Sequence, residues 1–141
     1  RNFLDKYDLI NWYFDKLVLQ SFEQIVMGHT VGESLTQKFE FIVNEKVFFT
    51  EAFRSDDRNS LKEHDFELIL QFYQDLIGRK TSRPLREDLQ FLLEMYCRGS
   101  VYMTVKWVLT GMKDSPAKMS KKLVEAMPPR LAAVFDELKL L

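Results

Sequence analysis

The sequence predicts an all-α fold of about seven helices, and three features carry that prediction. Apolar residues recur at intervals of three and four along most of the chain, and no run alternates with strand period for long enough to compete. Gly28, Gly111 and the pair Pro128-Pro129 fall where the periodicity lapses, as helix stops do. The stretch Tyr96–Gly111 reads as helix with apolar residues on more than one side. A helix of that kind needs cover twice, once from its own domain and once from something else.

The first helix is expected from Asp5, a good N-cap, to about Met27, with Asp8 adding favourable charge in its first turn. Ile10, Phe14, Leu17 and Ile25 keep helical spacing, while Tyr7, Leu9 and Tyr13 widen the apolar surface beyond what an isolated domain would cover. A second segment, from about Glu33 to Phe53, changes register at Asn44 and should break there into two shorter helices. Ser60 and Glu63 match a capping box. Behind them Phe66, Ile69, Leu70, Tyr73, Leu76 and Ile77 form the cleanest amphipathic stripe in the chain, with Gly78 as its expected end.

After a basic connector, Arg79–Pro84, the long central helix is expected from Pro84 or Leu85 to Thr110. One of its stripes is Leu85, Leu89, Leu92, Tyr96, Gly99 and Met103; another is Phe91, Met95, Tyr102, Val105 and Leu109. Gly99 in mid-helix costs roughly 1 kcal/mol relative to alanine, which close approach by another backbone would offset. Asp114 or Ser115 caps the next helix, with Pro116 in its first turn and Met119, Leu123 and Met127 on its apolar face. Leu131, Val134, Phe135 and Leu138 make a short last helix.

Composition narrows the function classes. The formal net charge is −1, so no basic surplus marks nucleic acid or an anionic membrane as the partner of this stretch. No run approaches the roughly twenty apolar residues of a membrane span, and no signal-peptide pattern opens the sequence. The single cysteine, Cys97, excludes a disulfide framework and fits a reducing, cytoplasmic compartment. His29 and His64 have no Cys, Asp or Glu at metal-ligand spacing, and Cys97 reads as a buried structural thiol. Asp56-Asp57 reads as a solvated loop pair, and the basic runs at 79–83 and 118–122 as solvated surface. No phosphate loop, GxSxG or HExxH is present. These readings predict no catalytic residue, no metal and no cofactor, and hence a protein that is not an enzyme.

Two stretches carry a family resemblance. Arg1-Asn2-Phe3-Leu4-Asp5-Lys6-Tyr7-Asp8-Leu9-Ile10 is similar to the junction of TetR-family transcriptional regulators, where a helix-turn-helix ends and the fourth helix opens. Tyr96, Gly99, Trp107 and Gly111-Met112, followed by Ser115-Pro116 and Met119, resemble the penultimate and last helices of a TetR C-terminal subgroup that includes regulators of the dihydroxyacetone-kinase type. Ala117-Lys118 departs from the acidic first turn usual in that subgroup, a difference of a few tenths of a kcal/mol against the helix dipole. The resemblance implies that residues 1–4 are the remnant of a missing helix-turn-helix domain and residues 5–141 the regulatory domain. It also supplies a reason for the wide apolar surface at the start of the first helix, which in the family packs on the DNA-binding bundle.

By the same resemblance, the last two long helices pair with their two-fold mates in a homodimer. That places Gly99, Tyr102, Met103, Lys106 and Leu109, with Met119, Leu123 and Met127, at the dimer contact. Lys6 matches the lysine that approaches DNA phosphate, so duplex DNA is a partner only through the missing domain. The family's effector cavity lies between the fourth and penultimate helices. Phe22, Phe48, Phe49, Phe53, Phe72, Tyr73, Met95 and Tyr96 are the residues that could line it, implying a small apolar or aromatic effector with Tyr73 and Tyr96 as hydrogen-bonding groups. The alternative expectation is a helical protein-interaction module whose signal is a partner protein, with no small-molecule ligand.

Overall fold

The computed structural model describes residues 6–55 and 61–141, with the side chains of Lys6 and Tyr7 outside that description. Seven helices follow one another among the described residues, and no strand occurs there. They are α1 (Lys6–Val26), α2 (Val31–Asn44), α3 (Lys46–Arg54), α4 (Leu61–Thr81), α5 (Glu87–Leu109), α6 (Pro116–Glu125) and α7 (Pro129–Glu137). The expected caps at Asp5 and Ser60, the pair Asp56-Asp57 and the contact of Lys6 with phosphate lie outside the described residues or side chains.

Local chemistry explains most of the boundaries. Gly28, at φ +102, ends α1, with its amide bonded to Ile25 O and that of His29 to Gln24 O. Gly111, at φ +98, ends α5 in the same way through Val108 O and Trp107 O. Each is a left-handed stop that glycine adopts without strain. A capping box opens α2: Thr30 Oγ1 accepts from the Glu33 amide at 3.1 Å, and the Thr30 amide donates to Glu33 Oε1 at 2.9 Å. α2 does end at Asn44, and Glu45 is the joint with α3. Ser115 caps α6 by accepting from the Lys118 amide, ahead of Pro116. Asp114 instead pairs with Lys122 at 2.6 Å.

Two expected boundaries are corrected. α4 runs through Gly78 to Thr81, and the chain turns at Ser82, which takes φ +57. A Cβ at Gly78 would meet only Arg83 O at 3.9 Å, so nothing there forces a stop. Arg79 and Lys80 therefore lie in the last turn of α4, where positive charge suits the helix dipole. α5 starts at Glu87 rather than at Pro84 or Leu85, with Glu87 and Asp88 in its first turn. Asp88 also accepts from Arg86 and from Arg130 of α7.

α5 is the axis of the packing. It lies against α3, α4 and α7, while α2 packs between α1 and α6 and α1 also meets α4. The core joins Phe14, Phe39, Ile42, Phe49, Leu93, Leu131 and Phe135, all fully buried. Tyr13 is half-buried against Phe41, Phe48 and Phe49, so α2 and α3 cover it within this chain, contrary to the reading that left it uncovered. The buried side of α5 is Leu93, Cys97, Val101, Thr104, Val105, Trp107 and Val108, of which Val105 alone belongs to either of the two stripes expected from spacing. Both sides of the helix are apolar, and periodicity alone does not say which one faces inward.

Candidate functional site

Two features of α5 are candidates for function, one on each side. On the inner side is a small cavity of about 40 Å³, walled by α2, α4, α5 and α6. α2 contributes Val31, Leu35 and Lys38; α4 contributes Asp65, Ile69 and Tyr73. α5 adds Tyr96, Cys97, Ser100, Val101 and Thr104, and Leu123 of α6 closes the wall. The volume has room for about three waters and is far below the roughly 300–1,000 Å³ of a typical preformed ligand pocket.

The chemistry of this cavity is more polar than the sequence suggested. Lys38 and Asp65 are both buried and approach each other at 3.4 Å. The Tyr96 hydroxyl donates to Leu123 O, tying α5 to α6. Thr104 Oγ1 donates to Ser100 O at 2.8 Å, which satisfies it within its own helix. Burial pushes the Tyr96 phenol up to about 12 and holds the Tyr73 phenol well above its ordinary value. Burial, with the nearby Asp65 carboxylate, also pushes the Cys97 thiol up to about 12. At neutral pH all three keep their protons. They are hydrogen-bond donors, and Cys97 is not a thiolate nucleophile.

On the outer side, α5 presents Phe91, Met95, Tyr102, Met103 and Leu109 to solvent, between 41% and 69% exposed. Gly99 lies among them, and a Cβ built there would meet no atom within 4 Å. Met95, Tyr102 and Leu109 recur every seven residues, so one straight seam runs the length of the helix. It continues into a shallow groove between α5 and α6 bordered by Met103, Lys106, Met119 and Leu123.

The residues expected to line an effector cavity divide among several places. Tyr73 and Tyr96 are in the inner wall. Phe22 and Phe72 stack on each other between α1 and α4, with ring centres 3.7 Å apart. Phe48, Phe49 and Phe53 join Tyr13 and Phe14 in an aromatic cluster between α1 and α3. Met95 is on the outer face of α5, 61% exposed, and does not border the cavity.

The residues expected at a dimer contact also divide. Gly99, Tyr102, Met103, Lys106 and Leu109 are together on the exposed side of α5. Met119, Leu123 and Met127 are buried against this chain's own core, because α6 packs on α2 through its apolar face. Trp107 is likewise internal, 5.2 Å from the Phe39 ring and donating to Asp114 O.

Sequence reasoning missed Lys38, Asp65, Ser100 and Thr104. A signal for the first two was present. Lys38 falls on the Val31–Leu35–Ile42 face of α2, and Asp65 on the Leu61–Ile69 face of α4, where an amphipathic helix normally carries only apolar residues.

Residues 29–128, most of the chain, match the family described as transcriptional regulator C-terminal region, in its TetR form. The chain belongs to the TetR-family C-terminal regulatory domains, all-helical domains of transcriptional regulators. No curated protein and no solved structure matches it. No helix among the described residues is long and apolar enough to cross a membrane.

Proposed function

We propose that this chain senses an effector and dimerises on behalf of a helix-turn-helix domain in a bacterial transcriptional regulator, with residues 1–4 closing that domain and residues 5–141 forming the regulatory one. The observation that carries the reading is the outer face of α5. Phe91, Met95, Tyr102, Met103 and Leu109 form an apolar seam left largely exposed by the described residues, centred on a glycine that no contact among those residues requires. A second copy of the same seam across a two-fold axis would cover it, with Gly99 letting the two helices come close. Lys106 and the α5–α6 groove edge would complete the contact, and Met119, Leu123 and Met127 would support it from within each subunit. In the intact regulator, Lys6 would position the DNA-binding domain on phosphate rather than read bases.

The signal would reach α1 as a population shift. An effector held among α2, α4, α5 and α6 favours one arrangement of those helices, and α1 packs directly on α2 and α4. The experiment is sedimentation of the chain at micromolar concentration. A dimer is expected, and Gly99→Leu or Tyr102→Glu should shift it to monomer. A monomeric wild-type chain, or unchanged dimerisation in both variants, would refute the interface. Trp107 is unsuitable for this test, since its ring is part of the core.

A second reading has one observation in its favour. A cavity of about 40 Å³ is small for an effector, which suits a regulator whose signal is a partner protein. If mass spectrometry of the purified regulator and a small-molecule screen by thermal shift both find no ligand, that reading takes precedence.

A further inference from the structure

The polar pair on the cavity wall bears on which molecule the proposed effector site accepts, so this inference rests on the effector reading above. Lys38 and Asp65 come from different helices and are buried with side chains only 9% and 2% exposed. An ammonium has three donors. Asp65 Oδ1 accepts one of them across 3.4 Å, longer than the roughly 2.7–2.9 Å of a well-formed charge-assisted bond. Replacing such a buried pair by packed apolar residues is commonly neutral or stabilising, so stability is a weak reason for its presence. Both residues border the cavity, whose remaining wall includes Val31, Leu35, Ile69 and Val101. Lys38 also borders a polar groove between α1 and α2 with Gln20, Ser21, Glu40 and Asn44, so it lines both spaces.

We propose that the cavity selects a small uncharged molecule with a hydroxyl head, an alcohol or a phenol, whose oxygen bonds both Lys38 and Asp65 from the cavity side. That one oxygen accepts from the ammonium and donates to the carboxylate, adding two short bonds beside the long contact of the pair. A carbonyl or ether would accept from Lys38 but bring no further donor to Asp65. A carboxylate would add a second buried negative charge to a pair that is already neutral. The apolar wall takes the body of the guest. At about 40 Å³ the cavity is too small for such a guest as it stands, so admission requires α6 to move away from α5 and the bond from Tyr96 to Leu123 O to break. A site built to bond a hydroxyl rejects the isostere that lacks one, because its own polar groups are then left unpaired.

The test titrates the chain with phenol, toluene and benzoate, followed by amide chemical shifts. Phenol is expected to move the Lys38, Asp65 and Tyr96 resonances and to bind at least tenfold more tightly than either of the others. The double variant Lys38→Met/Asp65→Leu should keep its circular-dichroism spectrum and prefer toluene. If that variant does not fold, Asp65→Asn, which keeps the volume and removes the charge, should lose most of the tenfold advantage. Equal binding of phenol and toluene, tighter binding of benzoate, or a phenol preference that survives in the folded variant would overturn the hydroxyl selection and leave the effector cavity standing. If none of the three probes moves a cavity resonance, the effector cavity fails with it.

Discussion

The two sides of α5 are made of similar residue types and do opposite things. Leu93, Cys97, Val101 and Val108 are buried by the chain's own helices, whereas Phe91, Met95 and Tyr102 stand more than 60% exposed one side away. The inner side tolerates Thr104 because its hydroxyl bonds back to Ser100 O, and it accepts polar groups only when they have partners. The outer side shows the reverse: large apolar groups only partly covered by the described residues, and a glycine whose missing side chain would meet none of them. Hydrophobicity therefore does not separate core from surface in this helix. What separates them is which residues find partners inside one chain.

The comparison can be tested from its largest consequence downward. Asp65→Ala should destabilise the chain by about 3–5 kcal/mol in urea unfolding, because it leaves the Lys38 ammonium buried without its counter-charge. Leu93→Ala, on the inner side, should cost about 2–5 kcal/mol by the same measurement, through lost transfer energy and a cavity that cannot fully collapse. Gly99→Ala, on the outer side, should instead stabilise the isolated fold by roughly 1 kcal/mol, since nothing surrounds the added methyl, while weakening self-association. Phe91→Ser should leave the stability of the unassociated chain within about 0.5 kcal/mol. A large loss for Phe91→Ser, or a negligible one for Leu93→Ala, would break the inner–outer distinction.

A pH experiment sharpens the same boundary at the start of α5. Bonds from Arg86 and Arg130 hold the Asp88 carboxyl well below the usual carboxylate range. A depressed folded-state value stabilises the fold above the unfolded value, and that contribution fades as pH falls below about 4. Thermal midpoints of the wild-type chain should therefore fall more steeply than those of Asp88→Asn between about pH 5 and pH 2. The side chain is solvent-exposed, so this effect is the smallest of the set and should shrink further in high salt.

The all-helical fold was readable because its stops are local chemistry. Gly28, Gly111, Ser115-Pro116 and Pro128-Pro129 act within a few residues of where they stand, and the change of register at Asn44 did mark the end of α2. Gly78 misled because a glycine permits a left-handed turn without imposing one, and Ser82 took that conformation four residues later. The cavity was harder to see, since Lys38 and Asp65 are 27 residues apart and meet only through the packing of α2 near α4. Their presence on apolar faces was a usable signal, but it names an anomaly and not its partner. Of the aromatic and thioether residues grouped in the sequence, the half-buried Tyr73 and Tyr96 stand in the cavity wall; the phenylalanines went to the core clusters that aromatic rings most often fill.

The joint at the start of α2 has a consequence for synthesis. The Val31 amide donates to Leu140 O at 2.7 Å, and Leu140 itself is buried. Nearby, Ser120 donates to Gly32 O. Translation delivers α1 and α2 long before it delivers these partners, so the capping box of Thr30 and Glu33 holds the first turn of α2 before the bonds to Leu140 O and from Ser120 can form. The early helices can form and pair as they emerge, but this joint closes only once Leu140 has itself left the ribosome.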